Sequence, residues 1–171
     1  MTSKFQDFHM PRYDEIPDID LYMDQLLAYI EKVLSPLLIA TNEKILTTSM
    51  VNNYVKQGVL PPTIKKRYSR EHVIILMEIC LAKQIYSIQE IGKLISVQHA
   101  IFDTKTSYNY ICTELENALK CTFANEPLIK DSGNSDKEAR LLVRNTVIAF
   151  AHKLHTQLMC EQLYCEHVEK N

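Results

Sequence analysis

Glycine is scarce in this sequence: only three occur among 171 residues, and proline adds six. Gly58, Gly92 and Gly133 stand far apart, so the chain has neither GxGxxG nor GxxxxGK[ST] and cannot form a glycine-rich phosphate loop. So few turn-forming residues also argue against a sandwich or barrel of many short strands. The sequence therefore predicts a mainly helical protein.

Cysteine and long apolar runs are limited as well. The five cysteines are an odd number without a CxxC pair, and the N-terminal residues lack the apolar run of a signal peptide. Even the longest apolar stretches, such as residues 73–77, are far shorter than the ~20 residues that a membrane span requires. These features predict a soluble, cytoplasmic protein with reduced thiols and no membrane contact.

The small net charge of −2 hides a segregation along the chain. Residues 43–70 carry six Lys or Arg against one Glu, whereas residues 1–34 and 71–171 are both net acidic. A short cationic stretch in an otherwise acidic protein points to an anionic partner.

Three regions follow from the pattern of polar and apolar residues. We expect a flexible N-terminal arm over residues 1–18, a central domain over 19–96 and a C-terminal helical region over 97–171. Ser69, the Ser87–Glu90 capping box and a second capping box over Ser135–Glu138 predict three of the helix starts, and Gly58 predicts a helix end. Apolar spacing predicts helices over residues 20–34, 49–57, 69–83, 88–95, 98–121 and 136–167.

The last two predicted helices are long enough to need a partner. The final helix alone would extend about 48 Å at 1.5 Å per residue. Long helices are stabilised by packing, either between the two of them in a hairpin within one chain or with a second chain in a homodimer. The sequence leaves both arrangements open.

The helix over residues 49–57 carries amide groups on one side. Ser49, Asn52, Asn53 and Lys56 are about one turn apart, opposite the apolar side. An Asn side chain can donate to and accept from an adenine edge at once, and Ser or Thr can contact a base or a phosphate. Thr48 and Ser49 also begin the helix, where backbone N–H groups can bind a phosphate.

Three consecutive cations follow this helix after a Pro-Pro turn. Lys65, Lys66 and Arg67 precede Tyr68, and the residues 59–60 and 67–68 could pair as two very short strands across the turn. A charged loop beside an amide-rich helix suits a division in which phosphate contacts position the protein and base contacts specify the sequence.

The stretch from residue 47 to 95 resembles the winged-helix DNA-binding domain of MerR-type transcriptional regulators. The motifs occur in the same order: a Thr-led helix containing Tyr54, then GVLPP, then RYS opening the next helix, then YSIQEI. The whole chain also resembles a small bacterial family of uncharacterised proteins that shares NNYVK, LPP and KRYSREH.

The MerR resemblance implies a mainly α, winged helix-turn-helix fold with a minimal β wing, followed by two long C-terminal helices. It implies a transcriptional regulator that binds double-stranded DNA as a homodimer through those helices. Together with the residue chemistry above, it predicts DNA contacts from Thr48, Ser49, Asn52, Asn53, Tyr54, Lys56, Lys65, Lys66, Arg67 and Tyr68.

A second hypothesis is a helical protein–protein adaptor that keeps the winged-helix shape without binding DNA. Burial of Asn52, Asn53 and Lys56 under the N-terminal helix or a dimer partner would favour the adaptor, whereas a concave, continuous positive face across residues 48–67 would favour DNA.

Catalytic and metal-binding patterns are not evident, so we expect neither an enzyme nor a cofactor. There is no HExxH or GxSxG motif. The cluster near the C-terminus consists of His152, His155, Cys160, Cys165 and His167, but the two cysteines point about 140° apart on a straight helix. A metal site of three or four ligands would therefore need a second chain.

Overall fold

The computed structural model describes residues 3–38, 44–133 and 136–168, and these are mainly helical, as predicted. Within these ranges no strand forms, and the β pairing consists of two isolated antiparallel bridges, Leu21 with Tyr68 and Ile64 with Arg67. A 3-10 turn spans Tyr13–Glu15. The helices are α1 (Ser3–Gln6), α2 (Met23–Leu34), α3 (Thr48–Lys56), α4 (Arg70–Ala82), α5 (Ile88–Ile101), α6 (Thr104–Ala124) and α7 (Lys137–His167).

Helix α4 is the centre of the core. Ser69 is its N-cap residue, as predicted, and every residue from 73 to 82 is buried except Glu78, which is partly buried. A helix that is apolar on nearly all sides must be covered on all sides. Helices α2, α5 and α7 pack against it and provide that cover.

The capping box predicted at the start of α5 is confirmed. The backbone N–H of Ser87 donates to the Glu90 carboxylate at 2.8 Å, and the Ser87 Oγ accepts from the Glu90 N–H at 3.4 Å. The helix ends at Ile101, so the predicted boundary between residues 96 and 97 falls inside it.

The predicted helix over residues 98–121 is wrong at its start. Helix α5 continues to Ile101, and α6 begins only at Thr104 after an extended Phe102. The Asp103 carboxylate accepts from the Thr106 N–H at 3.0 Å and caps the new helix. An Asp two residues after an apolar helix end is the signal that marks this break.

The N-terminal residues 3–18, expected to form a flexible arm, lie against α6 instead. Phe5 stacks on Phe123 with ring centroids 4.4 Å apart, and Met10 is buried. The Met10 N–H and both terminal nitrogens of Arg12 donate to the Glu116 carboxylate, at 2.6 to 2.8 Å. The apolar anchors are single residues among polar ones, so no helical or strand period revealed them.

Helices α6 and α7 pair within the chain, but not as the hairpin that was one of the two expectations. Glu114 binds Arg144 at 2.8 Å, and Phe123 packs edge-on against His155 at 4.9 Å. The sequence separation is about thirty residues at both contacts. A separation that stays nearly constant along two helices means that they run parallel. The connecting segment runs back along α6: the Arg144 guanidinium donates to the Ile129 carbonyl at 2.8 Å.

This returning segment is fixed at its far end by polar contacts. The Tyr110 hydroxyl donates to Asp131 at 2.8 Å, and the Ser132 hydroxyl donates to the buried Glu114 carboxylate at 2.5 Å. The seven residues from Asn125 to Asp131 are joined by six Cα–Cα steps and can span roughly 20 Å when extended, which matches the four turns of α6 that they retrace. The predicted capping box at the start of α7 involves Ser135, which lies outside the described residues; Asp136 is the observed N-cap.

Candidate nucleic-acid interface

Helix α3 is delimited by two local signals. The Thr47 Oγ1 accepts from the Met50 N–H at 3.2 Å and caps the start. At the end, Gly58 has a φ of +73°, and the N–H groups of Val59 and Leu60 both donate to the Tyr54 carbonyl. The left-handed conformation is inexpensive for glycine, so the predicted helix end at Gly58 is confirmed.

The outward side of α3 carries four of the residues predicted from the sequence, here called the amide face: Ser49, Asn52, Asn53 and Lys56. All four are exposed, and so is Thr48 at the first helical position. Val51 and Tyr54 point inward, with 0% and 7% of their surface exposed. Tyr54, predicted as a DNA contact, is therefore part of the core, because it is three residues from Val51 on the same side of the helix.

The turn after the Pro-Pro pair is a two-residue hairpin, here called the cationic hairpin (residues 64–67). The Arg67 N–H donates to the Ile64 carbonyl at 3.0 Å, and Lys65 and Lys66 occupy the two turn positions with φ of 51° and 57°. Positive φ at both positions is the geometry of a type I′ turn.

The strand pairing predicted between residues 59–60 and 67–68 is wrong. The N–H groups of Val59 and Leu60 are used by the end of α3, and the two prolines that follow have no N–H to donate. Tyr68 pairs instead with Leu21, and the two residues exchange both backbone hydrogen bonds at 2.9 Å.

Arg67 and Tyr68 have different surroundings from the two lysines. The Arg67 guanidinium lies 4.2 Å from the ring centroid of Tyr22 and donates to the Tyr22 hydroxyl at 2.7 Å. Tyr68, predicted as a contact, is 5% exposed and packs edge-on against His72. Tyr22 was not found from the sequence, because it is 45 residues from Arg67 and no local pattern links them.

Lys56, Lys65 and Lys66 are exposed, and none forms an ion pair with any residue of the described ranges. Arg70, the first residue of α4, contacts the N-terminal segment. Its guanidinium binds the Asp18 carboxylate at 3.2 Å and lies over the Tyr13 ring. The lysines next to the amide face are thus the cations available to an anionic ligand.

The cationic hairpin holds its lysines in an unfavourable backbone conformation. Left-handed φ costs a residue with a Cβ about 1 kcal/mol or more, whereas Asn-Gly adopts a type I′ turn readily. We expect the double variant Lys65→Asn, Lys66→Gly to raise the free energy of unfolding by about 1–2 kcal/mol, measured by urea denaturation. The matched variant Lys65→Ala, Lys66→Ala removes the same charges but keeps both Cβ atoms. If it stabilises the protein equally, relief of charge repulsion rather than backbone strain is the cause.

The C-terminal histidines and cysteines are not assembled into a site. Cys160 and Cys165 are exposed, and His155 packs against Phe123. No group of three His, Cys, Asp or Glu in the described part of the chain could hold a metal ion. In the same ranges, none of the helices combines the length and apolar character needed to cross a bilayer.

A family model, a domain of unknown function (DUF1836), matches residues 11–115. The match begins in the docked N-terminal segment, includes α2 to α5 and ends inside α6, so it extends past both predicted domain boundaries. No curated protein and no solved structure matches the chain.

Proposed function

We propose that this chain, which belongs to the DUF1836 family, binds duplex DNA through the amide face of α3 and the cationic hairpin. The observation that carries the proposal is the exposure of both groups within twenty residues of chain, each fixed from behind by a buried tyrosine, Tyr54 or Tyr68. A rigid support of this kind holds side chains in place before a ligand arrives.

The chemistry of the two groups is complementary. Asn52 and Asn53 carry donors and acceptors that suit base edges in the major groove, and one exposed α-helix fits that groove. Lys65 and Lys66 suit phosphates as compact cations, and Arg67, oriented by Tyr22, is the third. In this proposal α3 is the recognition helix of a MerR-like winged helix, and the hairpin is a wing reduced to a single turn.

Exposure of Asn52, Asn53 and Lys56 favours DNA over the protein adaptor. One form of the adaptor would have the N-terminal helix cover this face, and in the described chain that helix leaves the three side chains exposed. The local charge of +5 in residues 43–70 also favours DNA over the adaptor, because nucleic-acid binding depends on neutralising phosphates.

Selection of bound fragments from a random duplex pool tests the proposal. The purified full-length protein should enrich a limited set of sequences. The variant Asn52→Ala, Asn53→Ala should bind an enriched site about 10- to 100-fold more weakly, because a bidentate base contact contributes about 1–3 kcal/mol. Its affinity for random duplex should stay close to that of the wild type.

Asn145→Ala provides the matched control, since it removes an exposed amide from α7 instead of α3. Equal losses in the two variants, or no enrichment by the wild type at low salt, would contradict sequence-specific binding. Retention of a protein partner on the same face would then favour the adaptor.

We further propose that the distal part of α7 joins two copies of the chain. Residues 159–168 are all exposed, and four large apolar side chains among them are about half exposed: Met159, Leu163, Tyr164 and Val168. This segment lies beyond the end of α6, and its apolar side chains remain exposed in the described structure. A second copy of the same segment would cover these side chains and give the two-fold symmetry typical of helix-turn-helix proteins.

Light scattering tests the dimer. The wild type should have twice the chain mass of 19.8 kDa, and Leu163→Glu should reduce it to one chain. Leu141→Glu changes another half-exposed leucine near the start of α7 and should leave the dimer intact. A wild-type protein of one chain mass at all concentrations would refute the proposal.

A further inference from the structure

Helices α4, α5, α6 and α7 surround an apolar cavity of about 70 Å³. Val97 on α5 and Leu142 on α7 line it and are 43% and 37% exposed, so the cavity reaches solvent between these two helices. Its inner walls are aliphatic and aromatic, and include Leu81, Ile95, Phe102, Leu115, Val147 and Phe150.

Glu78 is the one ionisable side chain among the described residues that line this cavity. Its Oε2 is shielded from water and has no hydrogen-bond partner within the described structure. The neighbouring Gln98 amide donates through its Nε2 to the Ser107 hydroxyl at 2.6 Å, and its hydrogen bond with the Glu78 carboxyl still leaves Oε2 without a partner. Burial in these surroundings raises the pKa of Glu78 to about 8.

A carboxyl group with an unpaired oxygen in an apolar cavity lowers the stability of the folded chain unless a hydrogen-bond donor reaches that oxygen. No Lys, Arg or His of the described chain lines the cavity, so the chain itself supplies no compensating cation there. A ligand with an ammonium group would supply the missing donor and would stabilise the ionised form of Glu78 as it binds. A carboxylate ligand would bring an unpaired anion into the apolar cavity, and a neutral apolar ligand would leave Oε2 unpaired.

We propose that the cavity binds a small organic ammonium ion, with its apolar body against the walls and its N–H groups donating to Glu78. The terminal torsion of a Glu side chain is broad, so a small rotation turns Oε2 toward the ligand. The volume is about half that of an apolar protein cavity known to hold benzene. The enclosed part of the ligand is therefore a short alkyl or small aryl group, and a larger body would extend past Val97 and Leu142.

This site is separate from the amide face and the cationic hairpin, and its test does not depend on DNA binding. Isothermal titration calorimetry of the full-length protein at pH 7 would compare three probes of equal chain length: n-hexylamine, n-hexanol and hexanoate. Hexylammonium should bind at least 10-fold more tightly than hexanol, and hexanoate should bind most weakly.

Glu78→Gln should abolish this preference while leaving hexanol binding nearly unchanged, which also shows that the cavity persists in the variant. Glu31→Gln removes an exposed carboxylate on α2 and should bind all three probes like the wild type. The proposal is overturned if hexylammonium does not bind. It is equally overturned if the wild type binds hexanol as tightly, or if Glu78→Gln retains the preference for the ammonium ion.

Discussion

Replacing Lys65, Lys66 and Arg67 together with alanine is expected to weaken binding to duplex DNA by about 10²- to 10³-fold near 0.1 M salt. Each phosphate neutralised by a protein cation contributes about −0.9 to the slope of log K against log salt concentration. If each of the three cations contacts one phosphate, the slope should therefore become less negative by about 2.7. Fluorescence anisotropy of a labelled duplex at several salt concentrations measures both quantities.

A second triple variant controls for net charge. Lys93, Lys120 and Lys130 are exposed cations outside α3 and the hairpin, and replacing them with alanine lowers the net charge by the same three units. This control should keep most of the wild-type slope. If the two variants have the same slope, the contacts are spread over the whole surface and the hairpin has no special role.

Glu78 alone is expected to lower the free energy of unfolding as the pH rises from about 4.5 to about 8. At pH 7 the free energy of unfolding should be roughly 3 kcal/mol lower than it is below pH 4.5. Burial raises the pKa of this carboxyl from its ordinary value of 4.5 to about 8 in the folded chain. The folded chain therefore holds the proton more tightly than the unfolded chain does between these values. The stabilisation is fully present below pH 4.5 and is lost as the pH rises through 8.

The groups that face Glu78 do not titrate in this window. Tyr108 and Cys112 on α6 interact electrostatically with it, and burial raises both of their pKa values, that of Cys112 to about 12. The amide of Gln98 on α5 carries no charge, and the residues of α7 that line the cavity are not ionisable. The change is thus assigned to one carboxyl group.

Urea denaturation of the wild type and of Glu78→Gln at several pH values checks this assignment. The variant cannot ionise, so the difference between the two free energies of unfolding should shift in favour of the variant as the pH rises. Each tenfold change in an ionisation constant is worth about 1.4 kcal/mol, from which the 3 kcal/mol follows. The exposed Glu31→Gln variant should give a difference that is flat in pH; a flat difference for Glu78→Gln would mean that the carboxyl is ionised when folded.

The middle of the fold could be predicted from the sequence because its signals are local. Ser69, Ser87 and Gly58 lie within one turn of the helix ends that they determine. The exposure of Asn52 and Asn53 also follows from helical period alone.

The parts that could not be predicted depend on contacts far apart in sequence. Met10 meets Glu116 across 106 residues, and Arg67 meets Tyr22 across 45. The parallel packing of α6 and α7 depends on where the connecting segment runs, which Asp131 and Ser132 fix through contacts that no spacing rule contains. The burial of Tyr54 and Tyr68 was missed for a different reason: a tyrosine beside cations suits both a core and a nucleic-acid surface.

The docking of the N-terminal segment on α6 determines when the chain can complete its fold during synthesis. Phe5 and Met10 are made first, but the surface that buries them includes Glu116 and Phe123. At a synthesis rate of about 5–20 residues per second, several seconds or more pass before the residues of α6 that cover these apolar side chains are made. The amide face and the cationic hairpin are translated within this interval. A fragment that ends after α5 would keep them but leave the N-terminal anchors uncovered, so we expect the half of the chain that carries them to be obtained only with α6 attached.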